Sequence, residues 1–388
     1  MENLKQANNQ WANRPADERF WDLPELIAAR KASAQSSVEK LVPTASLYVT
    51  ELDGGIALHG GAGNPALLTH FAFGQLCQDI GAPAGYLRQL PARLATECLR
   101  EGLSSDRRVT ANDASLLLQQ NGKLYLRAIT SDKYARIWDW QIAEALANNL
   151  PVGWRVPPAR PAGATAERTR PATELDVLRL QIPGLSINVG DTISPAGLYA
   201  GDRDMFIFMV NEENAIVDNG TVLGRGFFLW NSEVGSRSFG ISTFLYDAVC
   251  GNHIVWGARN IKEVTLRHIG SANDRAFLSL RMDLVEYANS SVGADAARIK
   301  IARSFMFGST KQEAVGALIS MIASKRIQLT QGQLNSAYDI ALESSRYGAP
   351  GSLWGMVNGL TELSQRSEYA DKRVTIDRAA GKLLEVAF

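Results

Sequence analysis

The chain has 388 residues, 46% hydrophobic and 21% charged, with 40 Lys+Arg against 40 Asp+Glu. That much apolar material offsets the ordering entropy of folding and excludes a disordered chain. The 33 Gly, 14 Pro and 3 Cys without period exclude collagen-like, coiled-coil and disulfide-scaffold architectures. A net charge of zero excludes a generally cationic nucleic-acid coat but not a local basic patch.

The cysteines Cys77, Cys98 and Cys250 have no paired spacing and read as buried small apolar residues in a reduced compartment. The opening MENLKQANNQWANRPADERF is polar and lacks the apolar core of a signal peptide. No apolar stretch approaches the roughly 18 residues of a membrane span. A cytoplasmic protein without a membrane partner is expected.

In chain order, residues 1–44 read as an N-terminal arm, carrying Trp11 and Trp21, plus one helix opened by Asp22 and running to Lys40. Residues 45–150 read as an α/β subdomain. SLYVTELDGGIALHG is a hairpin around Asp53-Gly54-Gly55, and ASLLLQQNGKLYLRAIT a second with Asn121-Gly122 as a type I′ turn. Two or three helices lie between them. Ser131-Asp132 is expected to cap the following element, and Asp139 to Asn149 is expected to be helical. Residues 151–173 hold five Pro and four Arg and read as a linker or exposed loop. Residues 174–290 are β-rich, with turns at Asn211–Asn214 and Asp218-Asn219-Gly220, and residues 291–388 are helical. The expected class is therefore α+β: a central antiparallel sheet with packed helices, an N-terminal α/β part and a helical C-terminal third.

The zero net charge hides blocks. Residues 174–224 hold eight acids against two bases, whereas 100–136 and 225–281 each hold seven bases against four acids. The two basic blocks could build one positive face.

Several motifs bear on chemistry. Gly61-x-Gly63-x-x-Ala66 with Asp79 downstream resembles a dinucleotide fingerprint, but helical sequence follows where a second parallel strand is needed. FGQLCQDIGAPAGYLRQL fits a helix-turn-helix with Gly81 in the turn and Tyr86, Arg88 and Gln89 on a groove-reading helix. The densest polar cluster is GRGFFLWNSEVGSRSFG, followed by CGNH and Arg267-His268. Arg225, Asn231, Ser232, Glu233, Ser236, Arg237, Asn252, His253, Arg267 and His268 form one candidate set for a phosphate or other anion. A satisfied buried network holding a sheet corner is the alternative reading of the same residues. Glu233, His253 and His268 could bind a metal, but no metal-ligand spacing supports them, and no cofactor or metal is expected. No nucleophile elbow is present. Trp354, Asn358, Thr361 and Glu362 recur at helical spacing after Ser352 and read as a cap with core contacts.

The segments LYAGDRDMFIF, WNSEVGSRSFGI, CGNHIVWG, the Arg267-His268 pair, SLWGMVNGLTE and QLCQDIGAPAGYLRQLP together resemble a domain-of-unknown-function family of phage- and plasmid-encoded proteins, over roughly residues 60–365. The resemblance implies a mobile-element setting in a host cytoplasm and supplies no catalytic residues. Joined to the basic blocks and the Arg/aromatic mixture, it points to a non-enzymatic nucleic-acid-binding accessory protein. Its expected partners are DNA, single-stranded in annealing or protection, and further copies of the chain. A metal-dependent phosphodiester-cleaving enzyme and a protein that binds a host defence factor are the alternatives.

Overall fold

The computed structural model describes residues 15–60, 63–105, 113–156, 167–177, 187–195, 197–218, 221–247, 251–254 without Gly251, 263–289, 292–344, 347–365, 376 and 379–385. A two-residue strand β1 (Arg19–Phe20) leads into helix α1 (Leu23–Gln35). The Asp22 side chain accepts the Glu25 N–H as N-cap, with Pro24 in the first turn, as the sequence predicts. The helix stops at Gln35 rather than Lys40, because residues 37–43 are claimed by a strand.

That strand, β2 (Ser37–Pro43), opens a six-stranded sheet with β3 (Leu47–Leu52), β4 (Gly55–Gly60), β5 (Ala66–Leu68), β6 (Asp113–Asn121) and β7 (Lys123–Ser131). Its order is β2-β6-β7-β5-β4-β3, antiparallel except for the parallel β5–β7 pair. A single 3-10 turn (Thr44–Ser46) joins β2 to β3, so these two are halves of one bent strand and the sheet closes on itself. Closure brings Gly60 of β4 against β2 and β6. A Cβ there would lie 2.7 Å from Leu116 Cδ1 and 3.5 Å from Val42 Cγ1, and Lys40 Nζ donates to the Gly60 carbonyl at 3.0 Å. The result is a five-stranded Greek-key barrel. Helices α2 (His70–Asp79), α3 (Ala84–Leu87) and α4 (Ala92–Leu103), inserted between β5 and β6, pack Phe73, Leu76, Leu87 and Leu99 onto its inner leucines.

Helix α5 (Asp139–Asn149) follows, with short strands β8 (Trp154–Arg155), β9 (Arg170–Pro171) and β10 (Thr192–Ile193). The central sheet is antiparallel and eight-stranded: β1, β8, β11 (Leu198–Ala200), β12 (Met205–Asp218), β13 (Thr221–Asn231), β14 (Phe239–Asp247), β15 (Asn252–Ile254) and β16 (Glu263–Leu266). Period-2 alternation sorts its side chains. Met205, Ile207, Phe227, Leu229 and Ile241 meet α1 and α5, while Tyr199, Phe206, Phe208, Phe228, Trp230 and Phe244 form an aromatic cluster on the other face.

Helices α6 (Ala272–Ser279) and α7 (Val285–Asn289), joined by a π turn, lead to the helical end: α8 (Val292–Ser304), α9 (Lys311–Lys325), α10 (Gln331–Glu343) and α11 (Leu353–Gln365). Capping boxes Thr310/Glu313 and Thr330/Gln333 start α9 and α10. The architecture is α+β, as expected.

Local expectations differ in several places. Asp53 (φ 51°) and Gly54 (φ 74°) form the type I′ turn, whereas at the second hairpin only Gly122 has positive φ and Asn121 does not. The Gly61–Ala66 segment joins two antiparallel strands, β4 and β5, so it is no strand–loop–helix fingerprint. Residues 211–214 do not turn; β12 continues through a register shift between Asn211 and Ile216. Ser131 ends β7, and α5 starts instead after Trp138. The barrel also takes its first strand from residues 37–43, ahead of the expected boundary at 45. Cys77 is buried but Cys98 is exposed on α4; Trp11, Cys250 and the Asn219-Gly220 turn lie outside the described residues.

Helix α11 crosses α10 so closely that a Cβ at Gly359 would sit 2.0 Å from the Ala337 carbonyl oxygen. Gly359→Ala would gain about 1 kcal/mol of helix propensity at an exposed site. Here overpacking wins, typically by about 1–3 kcal/mol. The expected outcome is a lowered thermal midpoint by calorimetry, where Gly316→Ala, with open space at its Cβ, leaves it level or raises it.

Candidate functional site

The polar cluster of the sequence is the tip of the β13–β14 hairpin. Gly235 (φ 84°) allows the reversal, and Ser232 Oγ accepts the N–H of Val234 (3.2 Å) and of Ser236 (3.0 Å) while donating to the Arg203 carbonyl (2.7 Å). Ser236 Oγ lies 2.9 Å from that same carbonyl. This compact turn drives Glu233 into the seam between the central sheet and the barrel, where it is 2% exposed.

There the Glu233 carboxylate accepts Arg30 Nη2 of α1 (3.0 Å), Arg127 Nη2 of β7 (2.8 Å) and the Asp139 N–H at the start of α5 (3.0 Å). Its backbone carbonyl accepts Arg136. Asn231 Nδ2 donates to the Ile137 carbonyl and to Asp139 Oδ1, both at 2.8 Å. Gln75 of α2 and Tyr134 donate to the carbonyls of Val234 and Ser232, each at 2.8 Å. Burial pushes the Glu233 carboxyl up, but Arg30 and Arg127 outweigh it and hold it below the usual range. Burial first, and the Glu233 charge second, raise Asp139 to about 7. Of the two readings of this cluster, the structure therefore builds the closed, hydrogen-bonded network.

The remaining arginines of the set do not converge with it into an open groove. Arg225 pairs with Asp295 (2.6 Å) and lies over the Tyr287 ring; Arg237, beyond the other end of β13, pairs with Asp204 (2.8 Å). Each of these buried guanidiniums is neutralised by a carboxylate, which corrects the expectation that they present charge to an anion. Arg267 is exposed, while His268 is buried and stacks on Tyr134 (5.0 Å, interplanar 2°). Burial lowers His268 to about 4, so its ring is neutral at pH 7. Asn252 and His253 lie on β15, and their side chains are outside the described ones. The Pro/Arg-rich segment is pinned where it is described: Arg168 pairs with Glu25, and Arg170 with Asp176 (2.7 Å) while covering the Trp21 ring.

The helix-turn-helix expectation is also corrected. Gly81 (φ 69°) turns the chain, but α3 is a single turn of four residues. Tyr86 is 60% exposed and Gln89 exposed, whereas Arg88 folds back over the Phe73 ring and donates to the His70 carbonyl (2.9 Å). One turn is too short to lie along a major groove.

The outer face of the barrel was not among the predicted sites. Strand alternation sends Leu47, Val49 and Leu58 inward and Tyr48, Thr50 and His59 outward. The two-residue Asp53-Gly54 turn sets the register that pairs Tyr48 with His59. Their rings stack at 4.2 Å with 13° between planes, and His59 Nε2 is 2.8 Å from Thr50 Oγ1. Tyr48 is 51% exposed. Tyr125 of β7 shares this face, with Lys123 beside it. The hairpin register held the signal: once the turn is placed at Asp53-Gly54, Tyr48 and His59 must be opposite each other.

Among the described residues no three His, Cys, Asp or Glu come together as metal ligands. No described helix is long and apolar enough to cross a membrane.

A Greek-key barrel locked by a buried ion network onto an antiparallel sheet with a helical C-terminal third defines an α+β protein of two joined β cores. The chain belongs to the family described as Domain of unknown function (DUF932), which matches residues 186–383, from the central sheet through the helical end. This range begins well after residue 60, so QLCQDIGAPAGYLRQLP and the whole barrel lie outside it. No curated protein and no solved structure matches the chain.

Removing the Glu233 carboxylate leaves Arg30 and Arg127 buried without a counter-charge. Glu233→Leu is expected to cost about 3–5 kcal/mol in urea unfolding. Asp139 binds its proton in the folded state up to about pH 7 but loses it near pH 4 when unfolded. The folded state thus holds the extra proton, and stability falls as pH rises through that window. Asp139→Asn should remove this slope, so wild type loses stability relative to the variant between pH 4.5 and 7 in paired urea titrations.

Proposed function

We propose that this chain is a nucleic-acid-binding accessory protein of a phage or plasmid, acting on DNA through its N-terminal barrel. The observation that carries this reading is the exposed aromatic face of β3–β4, lying between the β3–β4 and β6–β7 hairpins. A barrel closed by one bent strand, with helices inserted before its last two strands, has the arrangement of the oligonucleotide- and oligosaccharide-binding fold. Such folds bind on the corresponding face, between the corresponding loops. This support is analogy at the level of fold, joined to chemistry at the level of the site. Tyr48, His59 and Tyr125 offer π surface, Thr50 a hydroxyl and Lys123 a cation.

The basic blocks contribute less than their charge implies, because Arg127, Arg136, Arg225 and Arg237 are held by carboxylates inside the molecule. Binding is accordingly expected to be modest in affinity and only moderately salt-dependent. Self-association along a bound strand belongs to the same reading.

The test is a mobility shift with single- and double-stranded DNA at low and moderate salt. A shift at low salt that weakens as salt rises is expected. No shift with either form at low salt overturns the reading.

A further inference from the structure

We propose that Tyr48 and His59 form a stacking platform for unpaired bases, and that Asp53 occupies the place of a backbone phosphate on Lys123, so that this face selects single strands over duplex. This rests on the nucleic-acid reading above and specifies its substrate.

The platform is preorganised. His59 backs one side of the Tyr48 ring, and the contact between its Nε2 and Thr50 Oγ1 fixes the imidazole plane. Burial lowers the His59 pKa, which keeps the ring neutral near pH 7. Half of Tyr48 remains in solvent for a third ring to cover. A duplex has its base faces already stacked, so only an unpaired base can take that position.

The second half of the inference is the Asp53–Lys123 pair. Asp53 is in the β3–β4 turn and Lys123 is the first residue of β7. Their strands β4 and β7 are separated by β5, so the 2.7 Å contact reaches across β5. Lys123 follows the alternation of Tyr125, which places it on the aromatic face. Both side chains are more than half exposed, at 56% and 54%. Such an exposed pair is worth little, and an incoming phosphate can replace the carboxylate at small cost. Asp53 is thus an anion already resident beside the platform, and binding must displace it.

Full-length protein is titrated against a labelled oligothymidylate of about 20 nucleotides and against a hairpin duplex of equal length, read by fluorescence anisotropy. Tyr48→Leu keeps apolar bulk but removes the π face, and should weaken oligothymidylate binding roughly tenfold. Tyr48→Phe should retain it. Asp53→Asn preserves the turn, since Asn also adopts positive φ, and should tighten binding severalfold with a steeper salt slope. Lys123→Ala should weaken binding and flatten that slope. Because Asp53→Asn predicts a gain, misfolding cannot imitate it. If wild type binds neither probe, the nucleic-acid reading falls and this inference with it. If wild type binds but Tyr48→Leu is unchanged, Asp53→Asn is weaker, or the hairpin binds as tightly as the single strand, this inference alone is overturned.

Discussion

The rest of the architecture depends on how one buried carboxylate is satisfied. Glu233 reaches from the tip of the β13–β14 hairpin into the seam between two β cores and there meets a helix, a barrel strand and the first turn of a second helix. An ionised carboxylate out of water is tolerated only when its lone pairs are filled and its charge is matched. Here two guanidiniums and a backbone N–H do both. Because the donors come from α1, β7 and α5, the condition can be met only when barrel and central sheet are in one relative position. The network therefore supplies registration, which apolar contacts alone define less sharply. Apolar burial around it, as in Leu117, Ala128 and Val234, contributes the non-directional part of the same seam.

The same accounting explains the zero net charge. Among the described residues, five guanidiniums of α1, the barrel and the hairpin region are buried against carboxylates and do not face solvent. Arg127 and Arg30 meet Glu233, Arg136 meets Glu39, Arg225 meets Asp295 and Arg237 meets Asp204. These partners stand between 33 and 203 residues apart in the sequence, so charge blocks along the chain say little about fields in space. The β3–β4 face, by contrast, presents exposed aromatic surface with the Asp53–Lys123 pair at its border.

The division of the chain also separates family from site. The DUF932 match covers most of the central sheet and the helical end, including the buried pairs Arg225–Asp295 and Arg237–Asp204. The aromatic face lies on the barrel, outside that range. The central part reads as the platform on which the barrel is held, through the hairpin tip that carries WNSEVGSRSFG.

Much was legible in the sequence because its causes are local. The helix opened by Asp22, α5 from Asp139 to Asn149, the helical C-terminal third and the antiparallel character of the β-rich stretch all follow from neighbouring residues and short periods. The grouping of Asn231, Ser232, Glu233 and Ser236 as one polar unit was legible too, since they share a turn. What they do was decided by tertiary structure, because Arg30 and Arg127 are 203 and 106 residues distant and no local pattern links them to Glu233. The same holds for β2, whose strand state depends on pairing with β6 across the barrel, and for the choice of face on β3–β4. Alternation alone puts Tyr48 and His59 on one side. Only barrel closure, which turns Leu47, Val49 and Leu58 inward, decides that this side meets the solvent.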